Sequence, residues 1–131
     1  MWLPTLLAEQ QQVFLGLAHN VVVSDGLLDP NEESMLEEFR REMGLSPQVE
    51  SSYTELEGIE DIFDTKRSRL VALLNLLRLS YVDGAFEIEE ECFLKEVSKA
   101  FNISDQEFLL VDNWVRRMYA LEEEARGFLA S

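Results

Sequence analysis

Apolar residues recur at helical spacing along most of this chain. The first stripe lies between Thr5 and Val23 and consists of Leu6, Val13, Phe14, Leu17 and Val21. A second, wider stripe between Thr65 and Val82 predicts the most buried helix; its series begins Leu70, Leu73, Leu74 and Leu77. A third long helix is predicted from the capping box that opens at Ser104. Because no alternating Val/Thr/Tyr pattern predicts a strand, we expect an all-α fold of about 5–7 helices.

The chain contains an internal duplication. A shift of 58 positions aligns Asp25–Val49 with Asp83–Glu107 without a gap, and eight of the 25 aligned pairs are identical. The identical pairs are Asp25/Asp83, Gly26/Gly84, Glu32/Glu90, Glu33/Glu91, Leu36/Leu94, Glu38/Glu96, Ser46/Ser104 and Gln48/Gln106. This self-similarity predicts a bundle built from two pseudo-symmetric helix–loop–helix repeats that face each other.

Each repeat is predicted to hold two helices joined by a short acidic loop. The first helix ends at an Asp-Gly pair, where glycine can adopt the positive φ that stops a helix. The second helix has matching limits in the two repeats, with starts near Asp29 and Glu87 and ends at Gly44 and Asn102. The serine that follows each end, Ser46 or Ser104, is predicted to cap the next helix.

The repeats also define the expected domain organisation. Repeat one covers about residues 5–49, and repeat two covers about residues 65–118, with a C-terminal helix that continues to about residue 130. An acidic connecting segment, about residues 50–64, is predicted to hold a short helix and a kink near Gly58. A chain of 131 residues fits one domain containing both repeats.

Composition narrows the class of partner. The chain has 26 acidic and 11 basic residues and a net charge of −15. This balance argues against nucleic-acid binding and against docking on anionic lipid, since both need clustered Lys and Arg, and it favours cations or a protein with a basic surface. We expect neither a cleavable leader nor a stretch that inserts into a membrane. A single cysteine, Cys92, is typical of a reducing compartment, so we expect a cytoplasmic protein.

The carboxylates of the two loops form a candidate metal site. They occur at the same spacings of four and three residues, as Asp25, Asp29 and Glu32 in one loop and Asp83, Glu87 and Glu90 in the other. Oxygen ligands in such a cluster suit a hard cation, and Ca²⁺ accepts roughly 6–8 of them. Because His19 is the only histidine and Cys92 the only cysteine, we expect Ca²⁺ or Mg²⁺ rather than Zn²⁺. The loops differ from EF-hands because glycine directly follows the first aspartate.

Helix capping is an alternative explanation for some of these acids. The segment Asp29-Pro30-Asn31-Glu32 is also a capping box, and acids in a first turn favourably meet the helix dipole. Asp25 and Asp83 are harder to explain in this way. They are predicted to lie at the C-terminal ends of helices, where the dipole disfavours an anion.

The two loop phrases, residues 23–32 and 81–90, resemble those of TerB-like domains. That family includes bacterial tellurite-resistance proteins and the N-terminal region of DjlA-type membrane co-chaperones, and its motif of Asp-Gly, a later acid and then Glu occurs here twice. The resemblance covers about Thr5 to Met118 and implies an all-helical fold with two related halves. It also implies a metal site at the acidic cluster, carried onto Asp25, Asp29 and Glu32 with Asp83, Glu87 and Glu90.

Three functions are compatible with these observations. The first is a non-enzymatic, cation-binding helical module that serves a bacterial stress-response or membrane-associated complex. The second is an adaptor whose acidic surface binds a basic protein without metal. The third is a hydrolase that uses a metal-bound water, which requires an open coordination position and a substrate pocket. No motif of catalytic residues supports the third, so we expect no enzymatic activity.

Overall fold

The computed structural model describes residues 1–24, 29–46, 48–49, 52–82 and 88–130. Within these ranges the chain is all-helical and contains no β-strand, which confirms the predicted fold class. A 3₁₀ turn at Leu3–Thr5 precedes six helices, α1 (Ala8–Val23), α2 (Pro30–Glu42), α3 (Ile59–Ile62), α4 (Lys66–Tyr81), α5 (Ile88–Ala100) and α6 (Asp105–Leu129).

Local sequence explains most of the helix limits. Helices α2 and α5 both lead into a left-handed residue, Gly44 at φ 71° and Asn102 at φ 58°. The next amide in each case donates back to the helix, from Leu45 to the Arg40 carbonyl at 2.8 Å and from Ile103 to the Ser98 carbonyl at 2.9 Å. These bonds have the pattern of a Schellman motif, as the Gly and Asn positions predicted.

Two helix starts differ from what the sequence pattern indicates. Helix α1 begins at Ala8 rather than Thr5, because Leu3–Thr5 forms the 3₁₀ turn and Leu7 is extended, with its amide donating to the Gln10 side chain at 2.9 Å. Ser46 caps no helix within the described residues near it, 48–49 and 52–56. Its carbonyl accepts the Val49 amide to close a single turn, and the Val49 carbonyl in turn accepts from Arg40 Nε at 3.0 Å. This contact directs the chain back along α2.

The centre of the molecule is the contact between the two 16-residue helices α1 and α4. Helix α2 packs on α1, whereas α5 and α6 pack on α4. Edge-to-face phenylalanine pairs fill the interior, with ring centroids 5.1 Å apart for Phe14 and Phe39 and 5.2 Å apart for Phe63 and Phe101. Helix α4 was predicted to be the most buried, but α1 equals it, with nine buried residues in each helix.

The connecting segment explains why α1 is buried so deeply. A Cβ atom placed on Gly16 would lie 1.7 Å from Thr54 Oγ1, so the glycine allows the segment to rest directly on the helix. One turn later, Asn20 Nδ2 donates to the Thr54 carbonyl at 2.6 Å and Asn20 Oδ1 accepts from the Thr54 amide at 3.0 Å. The short helix predicted near Gly58 is confirmed as α3, which starts directly after this residue at φ 83°.

Across the described residues, no helix combines the length and the apolar character needed to cross a bilayer.

Candidate functional site

The six predicted metal ligands are divided between described and undescribed parts of the chain. Asp25, Asp83 and Glu87 lie outside the described residues. Asp29, Glu32 and Glu90 lie within them, at the starts of α2 and α5. The described residues bring together no group of three or more Asp, Glu, His or Cys side chains that could hold a metal ion. Asp29, Glu32 and Glu90 therefore form no such group by themselves.

Asp29 is the N-cap of α2. Its Oδ1 atom accepts from the Asn31 amide at 2.7 Å and from the Glu32 amide at 3.2 Å, and Pro30 occupies the first helical position. These bonds satisfy two amides that the first turn of a helix leaves without intrahelical partners. The capping role predicted for Asp29 is confirmed.

Glu32 and Glu90 are buried at equivalent places. Each is the third residue of its helix, α2 or α5, and each is 1% exposed. Proximity to the positive end of the helix dipole favours a carboxylate, but its burial is costly unless the charge is compensated. The two positions are 58 residues apart, which is the shift that relates the two acidic loops.

Glu107 shows that burial is not required for capping. It is the third residue of α6 and accepts from the Ser104 amide at 3.1 Å, in the predicted capping box, yet its side chain remains 26% exposed. The pKa of Glu107 is lowered, first by its ion pair with Lys66 and then by the hydrogen bond from the Ser104 amide. The third residue of α6 is thus more exposed than the third residues of α2 and α5.

The two acidic loops are flanked by residues of one cleft. Asn31, two residues after Asp29, and Val82, directly before Asp83, line the same depression between α2, α4 and α6. Helix α2 also contacts α4 directly. The start of α2 and the end of α4, which carry the two loops, are thus on one side of the bundle.

A hydrogen-bonded cluster beside the second loop was not predicted. Tyr81, the last residue of α4, donates from Oη to Asp112 Oδ1 at 2.7 Å, and Arg116 Nε lies 2.8 Å from Tyr81 Oη and 3.0 Å from Asp112 Oδ2. Burial, followed by the bond to Asp112, raises the pKa of Tyr81. The i, i+4 spacing of Asp112 and Arg116 was a visible signal for their ion pair, but it did not indicate Tyr81 as a partner.

Comparisons of the chain with family models, with curated proteins and with solved structures find no match.

Proposed function

We propose that this chain is a non-enzymatic, TerB-like helical domain that binds a divalent cation through its duplicated acidic loops. The ligand set is Asp25, Asp29 and Glu32 with Asp83, Glu87 and Glu90. The observation that carries the proposal is the matched burial of Glu32 and Glu90. In this proposal the domain acts in the cytoplasm, as an interaction part of a bacterial stress-response or membrane-associated complex.

The repeat geometry supports equivalent roles for the two loops. Helices α1 and α4 have 16 residues each, α2 and α5 have 13 each, and both pairs have limits related by a shift of 58 positions. The contacts between repeats are also reciprocal, since α1 contacts α5 and α2 contacts α4. We infer that the bundle consists of two pseudo-symmetric helix–loop–helix repeats in one domain.

The donor set favours a hard cation. All six side chains offer carboxylate oxygens, which are the ligands that Ca²⁺ and Mg²⁺ prefer. Glu32 and Glu90 belong to the first turns of α2 and α5, whereas Asp25, Asp83 and Glu87 lie outside the described residues. The common cleft beside Asn31 and Val82 is consistent with both loops contributing to one site.

The test is the thermal stability of metal-stripped protein with added Ca²⁺, Mg²⁺, Mn²⁺ or Zn²⁺. An ion that binds only the native state stabilises it by about 2.7 kcal/mol at one hundred times its Kd, so Ca²⁺ or Mg²⁺ should raise the melting temperature. The double variant Asp25→Asn, Asp83→Asn should lose this response. The matched control Glu33→Gln, Glu91→Gln removes the same charge from a neighbouring duplicated pair and should keep it.

Two results would contradict the proposal. The first is a melting temperature that no ion changes, and the second is an equal response of the site variant and its control. Either result would leave the metal-free adaptor as the favoured function, because a net charge of −15 suits a basic partner surface without any ion.

A further inference from the structure

Helix α6 extends beyond the bundle that its first half joins. Three of its 25 residues are buried, Phe108, Asp112 and Val115. Tyr119 Oη donates to the Arg78 carbonyl at 2.7 Å, and after it residues 120–130 are all exposed apart from the half-buried Ala125. At 1.5 Å per residue, the exposed end of this helix is about 15 Å long.

The exposed part of α6 carries a second apolar face, which we call the outer stripe. Its members follow each other at spacings of four, three, four and three residues and are Trp114, Met118, Leu121, Ala125 and Phe128. Leu121 is 65% exposed and Phe128 is 67% exposed. The first four members line one shallow groove, and the Trp2 ring lies 6.4 Å from the Trp114 ring. This spacing is that of the seam of a coiled coil, so the stripe has the pattern of a helix-pairing surface.

We propose that the outer stripe is a homodimer interface in which two copies of α6 pair antiparallel. In heptad terms Met118 and Ala125 occupy a positions, while Trp114, Leu121 and Phe128 occupy d positions. An antiparallel pair sets a positions opposite d positions. When Met118 lies opposite Leu121 of the second copy, Ala125 falls opposite Trp114 of the second copy. The largest side chain of the stripe then faces its smallest, which suits close packing.

Charge complementarity supports a second copy as the occupant. Arg117 and Glu124 flank the stripe at g positions and are both exposed. The register that pairs Ala125 with Trp114 of the second copy also sets Arg117 beside Glu124 of the second copy. Twofold symmetry forms this ion pair twice. No other partner is needed to supply either charge, because each copy presents both.

The local charge balance also permits self-association. The chain as a whole has a net charge of −15, which opposes contact between copies. Residues 111–129, however, contain three arginines and four acidic residues. Pairing along this segment therefore brings together two surfaces whose local net charge is close to zero.

The decisive experiment measures mass in solution, by sedimentation or light scattering, for the wild type and for charge-reversed variants. The wild type should form a dimer of twice the 15.1 kDa chain mass. In a dimer of the Arg117→Glu variant, two glutamates lie opposite each other at each g pair. In a dimer of the Glu124→Arg variant, two arginines do. Each single variant should therefore weaken dimerisation at least about tenfold. An equimolar mixture of the two single variants should restore dimers, because every g pair in the mixed dimer is again Arg with Glu.

Matched controls separate this effect from general changes in charge or hydrophobicity. Glu123→Arg makes the same substitution one position away, outside the stripe, and should leave the dimer intact. Leu121→Asp should abolish the dimer, whereas Ile88→Asp, at another exposed apolar residue, should not. The two control positions, Glu123 and Ile88, lie outside the outer stripe. Circular dichroism at a concentration where every variant is monomeric verifies that each is folded.

Three results would overturn the proposal. A wild type that stays monomeric at millimolar concentration shows that the stripe does not pair with itself. A dimer that survives both Leu121→Asp and Arg117→Glu shows that copies associate through another surface. Dimers that lose stability in both single variants but are not restored on mixing exclude the antiparallel register.

Discussion

Tyr81 at the end of α4 donates its hydroxyl to the carboxylate of Asp112 on α6, across 2.7 Å. This bond joins the last residue of α4, two positions before Asp83, to a side chain that is almost fully buried in the bundle. The helix that carries the proposed dimer interface is thereby connected to the end of the helix that leads into the proposed cation site.

Replacing Asp112 with Asn should lower the pKa of Tyr81 toward its ordinary value of 10.0. Burial is the first cause of the raised pKa and is retained in the variant, whereas the negative charge that opposes phenolate formation is removed. The ionisation can be followed by NMR of labelled tyrosine. Asp105→Asn, on the exposed first turn of the same helix, is the control; an equal shift there would contradict a local effect.

The stability of the protein should decrease at alkaline pH in a way that depends on Tyr119. Burial raises the pKa of Tyr119 to about 12 from 10.0. Because the folded-state pKa is the higher one, the contribution of this group is complete below pH 10 and is lost as the pH rises toward 12. Chemical denaturation at a series of pH values from 8 to 12 gives the free energy of unfolding. This free energy should fall less steeply with pH in Tyr119→Phe than in the wild type. An equally steep fall in the variant would contradict a contribution from Tyr119.

Gly16→Ala should destabilise the protein by about 1–3 kcal/mol, the usual range for overpacking. The added Cβ would overlap Thr54 Oγ1, so the connecting segment must move away from α1. Gly127→Ala is a matched control, because a Cβ there meets nothing within 4 Å and the residue is helical. The free energy of unfolding of that variant should increase by up to about 1 kcal/mol, because alanine has a higher helix propensity than glycine. Urea denaturation measures both, and equal effects would exclude the steric explanation.

Ser104→Ala should lower the free energy of unfolding by about 1 kcal/mol, because Ser104 Oγ accepts from the Glu107 amide at 3.1 Å in the capping box of α6.

Lys66→Met should raise the pKa of Glu107, since the Lys66 ion pair is the first cause of its lowered value. A lowered pKa stabilises the fold at neutral pH, and this contribution is lost as the pH falls through the folded-state value. Carboxyl NMR titration follows the change, and an unaltered Glu107 pKa would contradict the ion pair.

Local signals allowed the helices to be predicted better than the contacts between them. The limits of α2 and α5 follow from Asp29, Gly44 and Asn102, which act on neighbouring backbone groups and can be identified along the chain. The equal burial of α1 depends on Gly16 meeting Thr54, 38 positions later, and periodicity contains no information about that approach. Ser46 shows the opposite case, because its hydroxyl accepts from the Gln48 amide at 3.2 Å, as a capping serine can, yet Val49 and the next described residues, 52–56, are not helical.

Composition and the internal duplication identified residues of the candidate site, but they did not predict the burial or the contacts of these residues. Duplication identified Glu32 and Glu90 as a pair, but their burial depends on the packing of complete helices. Tyr81 and Asp112 are 31 positions apart and on different helices, so their bond follows from the fold. The spacing along α6 indicated the ion pair of Asp112 with Arg116, but it could not indicate Tyr81, which lies on α4.

Arg69 joins the ends of α3 and α5 beside the Phe63–Phe101 ring pair of the interior. Its guanidinium donates to the carbonyls of Glu60 at 2.7 Å, Phe63 at 2.6 Å and Phe101 at 3.1 Å, at the ends of α3 and α5. Opening either end breaks hydrogen bonds to the same guanidinium, so the two ends share one contact. Local fluctuations at the connecting segment and at the second repeat are therefore coupled, and their amide protons should exchange with solvent in a single cooperative event.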